Sequence, residues 1–126
     1  MDREEFREYI DCFNDDDFEG FGRYYAPDVE FNLGDRKRIV GRENVLDFYR
    51  DVATQVRETL DVQGVIVDGD RIAAELDTEF YAVEDAPEFV AGPLAAGESL
   101  HIHSFVHYWL EDDRFTTIKS ARYGSE

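Results

Sequence analysis

The chain has 126 residues, enough for one compact domain with a real core, and its 43% apolar share with ten Phe, seven Tyr and one Trp is that of a folding chain, not an acidic tail. Thirty Asp and Glu against thirteen Lys and Arg give a formal charge of -17 and a pI near 4.3. No nucleic acid and no membrane partner is expected, because both bind through clustered cations, and the one basic run, Asp35 to Arg38, is short and flanked by acids.

Only Lys37 and Lys119 are lysines. An acidic, lysine-poor surface matches a halophilic protein, in which concentrated salt screens the repulsion between carboxylates. Absence of a signal peptide, long apolar span or lipidation motif makes a soluble, cytoplasmic protein the expectation. The lone Cys12 reads as a small apolar packing group.

From Asp2 to about Asp17, Phe6, Tyr9, Ile10 and Phe13 recur at steps of three and four, the stripe of an amphipathic helix. Phe18, Phe21, Tyr24 and Tyr25 continue that spacing, which predicts a second, shorter helix stopped by Ala26 and Pro27. Val29, Phe31 and Leu33 alternate with polar residues and predict a strand ending at Gly34. After a polar loop, Val45, Phe48, Tyr49, Val52 and Val56 mark a third helix within the segment that runs to Glu58.

Everything from about Thr59 onward is strand-like. A hairpin turns at Asp68 to Asp70, a second strand runs from Arg71 to Val83, and a Pro-, Gly- and Ala-containing loop covers Glu84 to Gly97. The segment "SLHIHSFVHYWLED" follows, and "EDD" turns it into "RFTTIKSARY". The sum is a single α+β domain over residues 1–126, with helices on one side of a curved, mainly antiparallel sheet that encloses a pocket.

The three histidines, His101, His103 and His107, share one face of their strand. With no further His in the chain they supply part of a metal site only, so no metal and no cofactor is predicted. Glu75, Asp77 and Glu79 share a face of the preceding strand. They are solvated if Ile72, Leu76 and Phe80 face the core, whereas the opposite register makes Asp77 or Glu79 a buried carboxylate and a candidate base.

The segments "YIDCFNDDDFEGFGRYYAPDVEF", "VGRENVLDFY" and "HSFVHYWLEDDRFTTIKSARYG" resemble the nuclear transport factor 2-like superfamily in its SnoaL-like, ketosteroid isomerase-like branch. The resemblance implies a cone-shaped fold with three N-terminal helices on a curved sheet, and a homodimer formed by the outer sheet face. It matches Tyr9 to the tyrosine that donates to the developing oxyanion in ketosteroid isomerases. The isomerase's base aligns with Leu33 and its second oxyanion donor with Val106, so its standard mechanism is not expected. A comparison with scytalone dehydratase matches Ser104 to a pocket serine, but places Val106 and Asn14 where that enzyme has asparagine and aspartate.

Both comparisons face Ile102, Ser104, Val106 and Tyr108 toward the pocket, and His101, His103, Phe105, His107 and Trp109 toward a partner subunit. Matching the last strand points Thr117, Lys119, Ala121 and Tyr123 inward. The expected site is Tyr9 as oxyanion donor and Asp77 as weak candidate base, with Phe13, Tyr25, Phe31, Leu33, Phe48, Ser104, Val106, Tyr108 and Tyr123 around a small apolar molecule. Two functions stay open: a cofactor-free isomerase, cyclase or dehydratase like the polyketide cyclases, and a non-catalytic binding or dimerisation module.

Overall fold

The computed structural model describes every residue from Met1 to Glu126. In chain order the elements are α1 (Arg3–Asn14), α2 (Phe18–Gly22), β1 (Tyr25–Leu33), β2 (Lys37–Val40), α3 (Arg42–Ala53), β3 (Val56–Asp68), β4 (Arg71–Ala82), β5 (Ser99–Glu111) and β6 (Arg114–Ser125). The strands form one open, curved sheet in the order β2-β1-β6-β5-β4-β3, antiparallel throughout except for the β1/β6 pair. The helices pack on one face of it, where a single apolar core gathers Phe6, Tyr9, Phe21, Tyr25, Val45, Ile72 and Phe115.

The first helix starts where an acceptor is available: the Asp2 carboxylate takes the Glu5 N–H at 2.9 Å, and Glu4 and Glu5 complement the positive end of the dipole. Its stripe of Phe6, Tyr9, Ile10 and Phe13 is buried. At its far end the Asn14 side chain donates to the Leu60 carbonyl at 2.9 Å and accepts the Leu60 N–H at 2.8 Å. That pair covers part of the free edge of β3, which has a neighbour on only one side.

Three boundaries depart from the sequence reading. Of the three helices two are long, while α2 has only five residues; Tyr24 and Tyr25 leave the helix because the Phe115 N–H bonds the Tyr24 carbonyl at 2.7 Å and Tyr25 pairs with Phe115 across the sheet. The expected polar loop contains β2, whose Ile39 is buried opposite Phe31. Gly41 then reverses the chain into α3 at φ 99°, a conformation L side chains rarely adopt. Finally, α3 ends at Ala53, so Val56 and Glu58 belong to β3. Val56, Glu58, Leu60 and Val62 pair with Ala82, Phe80, Thr78 and Leu76, and a strand's period of two puts them on one face.

The β5–β6 hairpin turns through Asp112 and Asp113 at φ 51° and 64°, the positive values a tight two-residue hairpin requires. Immediately beyond it, Leu110 pairs with Phe115 but Trp109 with Thr117, leaving Thr116 as an extra residue whose hydroxyl bonds the Trp109 carbonyl at 3.2 Å. Such a bulge exchanges the two faces of the strand. Phe115 and Ile118 are therefore both inside, although an odd number of positions separates them.

Candidate active site

Between the helices and the concave side of the sheet lies a cavity of about 410 Å³, within the size range of small-molecule sites. Its apolar walls include Phe13, Phe31, Leu33, Leu60, Leu76, Phe80, Ile102, Val106 and Ile118. The polar groups that break this lining are Tyr9, Tyr49 and Tyr108, Thr78 and Ser104, and the carboxyl of Glu58. Toward the rim come Asp35, Arg36 and Arg122, beside Val90 and Ala91 of the β4–β5 loop.

Alternation on β5 places Ser104, Val106 and Tyr108 in this wall and puts His101, Phe105 and Trp109 outside. Tyr9 reaches the cavity from α1, wedged edge-on between Phe115 at 4.9 Å and Tyr24 at 5.5 Å between ring centroids. Its hydroxyl lies 2.8 Å from that of Tyr25, which is wholly buried behind the wall and does not line the cavity. Either hydroxyl can donate in this pair; with Tyr25 as the donor, the Tyr9 proton is left to point at a ligand. Burial first, then the neighbouring tyrosines, holds the Tyr9 phenol well above its usual pKa, and burial alone does so for Tyr108. Both are neutral donors at any ordinary pH.

Besides Tyr25, four expected residues lie elsewhere. Asp77 is on the outer face, hydrogen-bonded to His103 Nδ1, because Ile72, Ala74, Leu76 and Thr78 take the inward positions of β4. The bulge at Thr116 turns Tyr123 outward, where its hydroxyl donates to Glu75 at 2.7 Å and its ring stacks on Phe105 at 4.5 Å. Lys119 follows it out and lies over the Trp109 ring at 5.2 Å, so Ser120 and Arg122 take the inward places. Phe48 packs beneath Lys37 at 5.3 Å on the outside of α3, and its neighbour Tyr49 faces the cavity.

The sequence reading passed over Glu58 because it treated this residue as the tail of α3. It stands where the inward register of β3 would otherwise carry an apolar side chain, between Val56 and Leu60. Its carboxyl makes no hydrogen bond and meets no cation; what accessible surface the residue keeps opens partly into the cavity it lines. Desolvation, with a smaller push from Asp16, raises its pKa from 4.5 to about 8. The signal in the sequence was the alternation Val56, Glu58, Leu60, Val62, in which one charged residue interrupts an apolar face.

The three histidines do not converge. His101 faces Glu79 at 3.5 Å, His103 bonds Asp77 and Glu126, and His107 stacks on Trp109 at 4.1 Å. Hydrogen bonds from Asp77 first, then Glu126, raise the His103 pKa.

Comparison with solved structures finds the same fold at low identity. A proposed polyketide cyclase from Pseudomonas putida KT2440 is 21% identical with a TM-score of 0.80, over 94% of this chain and 88% of that one. Another from Xanthomonas campestris pv. campestris is 23% identical with a TM-score of 0.79, over 91% and 84%. An LEH-like epoxide hydrolase of M. tuberculosis is 13% identical with a TM-score of 0.75, over 94% and 79%. No curated protein matches the chain. A family model for the SnoaL-like domain matches residues 6–118, which is most of the sequence, and the chain therefore belongs to the SnoaL-like domain family.

Proposed function

We propose that this protein is a cofactor-free acid–base enzyme acting on a small cyclic or polyketide-like carbonyl compound. Glu58 moves the proton, and Tyr9, backed by Tyr25, binds the carbonyl oxygen. The observation that carries this reading is one cavity containing both an unpaired carboxyl and a buried, neutral phenol. Ionised Glu58 takes a proton from the carbon beside the carbonyl, and the electrons of that C–H bond move into a C–C double bond as charge passes to oxygen. The Tyr9 hydroxyl holds this oxyanion in a site that excludes competing water. Returning the proton to a different carbon gives isomerisation; attack by the enolate carbon on a second carbonyl breaks that C=O π bond and gives cyclisation, with Glu58 returning its proton to the new alkoxide. Both are redox-neutral.

A base with a pKa near 8 suits this task, because at neutral pH a fraction is ionised and each ionised group is a strong base. It also supplies on β3 the base that the ketosteroid isomerase pattern lacks at Leu33. The test is deuterium exchange at the α-carbon of a cyclic ketone such as 2-tetralone, followed by NMR. The expected rate rises with pH and levels off above about 8. Glu58→Gln should lower it by about a hundredfold or more, and Tyr9→Phe should lower it without moving the pH midpoint. Saturable binding of the ketone with no exchange at any pH would identify a ligand carrier instead.

We also propose a homodimer through the outer sheet face formed by His101, His103, Phe105, His107 and Trp109. Phe105 is 54% exposed, Tyr123 52% and Ile66 67%. An apolar group of this kind supports an interface on a chain otherwise covered in carboxylates.

A further inference from the structure

The rim of the cavity has a charge opposite to that of the molecule. Arg36 follows the end of β1 and Arg122 lies on β6, and the two strands are joined there by the pairing of Leu33 with Ser120 and by the Gly34 N–H bonding the Ser120 carbonyl at 2.7 Å. Each guanidinium makes one long bond, 3.3 Å, to the β4–β5 loop: Arg36 to the Val90 carbonyl and Arg122 to the Ala91 carbonyl. Consecutive peptide units are about 3.8 Å apart, so the two cations sit on one short stretch of rim. A guanidinium has five N–H donors, and only one of each is engaged.

Neither arginine forms an ion pair, although the chain has thirty acidic side chains. Asp35 lines the rim beside them without pairing to either. Inside, the walls are apolar and the one carboxyl, Glu58, is largely protonated at neutral pH. The cavity thus has an apolar interior and two uncompensated cations at its mouth, in a molecule whose overall charge would repel an anion.

We infer that the cavity takes an anionic amphiphile: an apolar, ring-sized body lies inside, and a carboxylate, sulfonate or similar oxyanion group is held at the mouth by Arg36 and Arg122. This rests on the cavity being the ligand site, and it narrows the substrate to acids. Planar guanidiniums match oxyanion groups with paired N–H donors, and such charge-assisted bonds are stronger than neutral ones. Anchoring at the mouth also orients the substrate, since the charged end stays at the rim and the opposite end points toward Tyr9 and Glu58.

Two fluorescent dyes with one body test this: 1-anilinonaphthalene-8-sulfonate and its uncharged parent, N-phenyl-1-naphthylamine. The wild type should bind the sulfonate about tenfold or more tightly than the parent at low salt, with the preference shrinking as NaCl rises. In the double variant Arg36→Gln and Arg122→Gln the sulfonate should weaken by about tenfold or more while the parent changes less than about twofold. Glutamine can still donate to the Val90 and Ala91 carbonyls, so a purely structural tether would leave the preference intact. Filling the cavity by Val106→Trp, or Ser104→Phe should the first unfold, must abolish binding of both dyes. Equal or weaker binding of the sulfonate in the wild type overturns the inference but leaves the cavity reading standing, and so does an equal loss of both dyes in the arginine variant. Failure of both dyes to bind, or binding that survives the filled cavity, overturns both readings.

Discussion

Glu58 is held on the inward face of β3 without a hydrogen-bonding partner, and the cost of desolvating its charge is met by keeping its proton. The native state therefore retains a proton, between pH 4.5 and about 8, that the unfolded chain has already released. Because the folded pKa is the raised one, this contribution to stability is complete below 4.5 and is lost as pH rises to about 8. Glu58→Gln should be free of it. Relative to the wild type, the variant should gain about 2–4 kcal/mol between pH 5 and 9, less than the whole shift because the carboxyl opens into the cavity. Urea unfolding of both proteins at several pH values measures this difference, and parallel stability curves would contradict a buried, protonated Glu58. Tyr9 was legible from helical spacing together with the family match, since a residue four positions before Phe13 shares its face. Glu58 was not, because the Val45 to Val56 stripe continued the helical pattern past the point where the backbone turns into a strand.

At the scale of elements, the site depends on β3, the edge strand that carries Glu58, being held against α1 and β4. The two Asn14–Leu60 hydrogen bonds do this from the helix side, two residues from Glu58. Asn14→Ala leaves the Leu60 N–H and carbonyl without those partners, and should cost about 1–3 kcal/mol. Hydrogen exchange should show it first in the amides of residues 57–62, ahead of β5 and β6; unchanged protection there would show that β4 pairing alone holds the strand. The facing of β5 was readable through the family resemblance, which fixed Ile102, Ser104, Val106 and Tyr108 as inward, and the strand's period of two then sets the rest. The last strand was not readable in the same way. One unpaired residue, Thr116, inverts the facing of the positions that follow it as far as a second register shift at Tyr123, and neither composition nor periodicity marks a bulge. Hence Tyr123 and Lys119 lie outside while Arg122, ordinary in the sequence, reaches the cavity rim.

For the whole molecule, the charge of -17 describes the solvated surface and says little about the cavity, whose mouth is cationic and whose interior is neutral. The family and, β2 aside, the element order were legible because they rest on many residues at once. The chemistry rests on a few side chains whose facing depends on single register steps. The proposed dimer should sediment at twice the 14.6 kDa chain mass at micromolar concentration, and Phe105→Glu should return it to monomer; a wild type that is monomeric at all concentrations would contradict that use of the outer face. No helix of the chain is long and apolar enough to cross a membrane. Both the proton-transfer role and the neutral interior depend on one quantity, the proton affinity of Glu58. It can be measured by following the side-chain carboxyl carbons of a 13C-labelled sample through a pH titration, with Glu58→Gln identifying the resonance. The account predicts a midpoint near 8; a midpoint in the ordinary carboxylate range near 4.5 would contradict it.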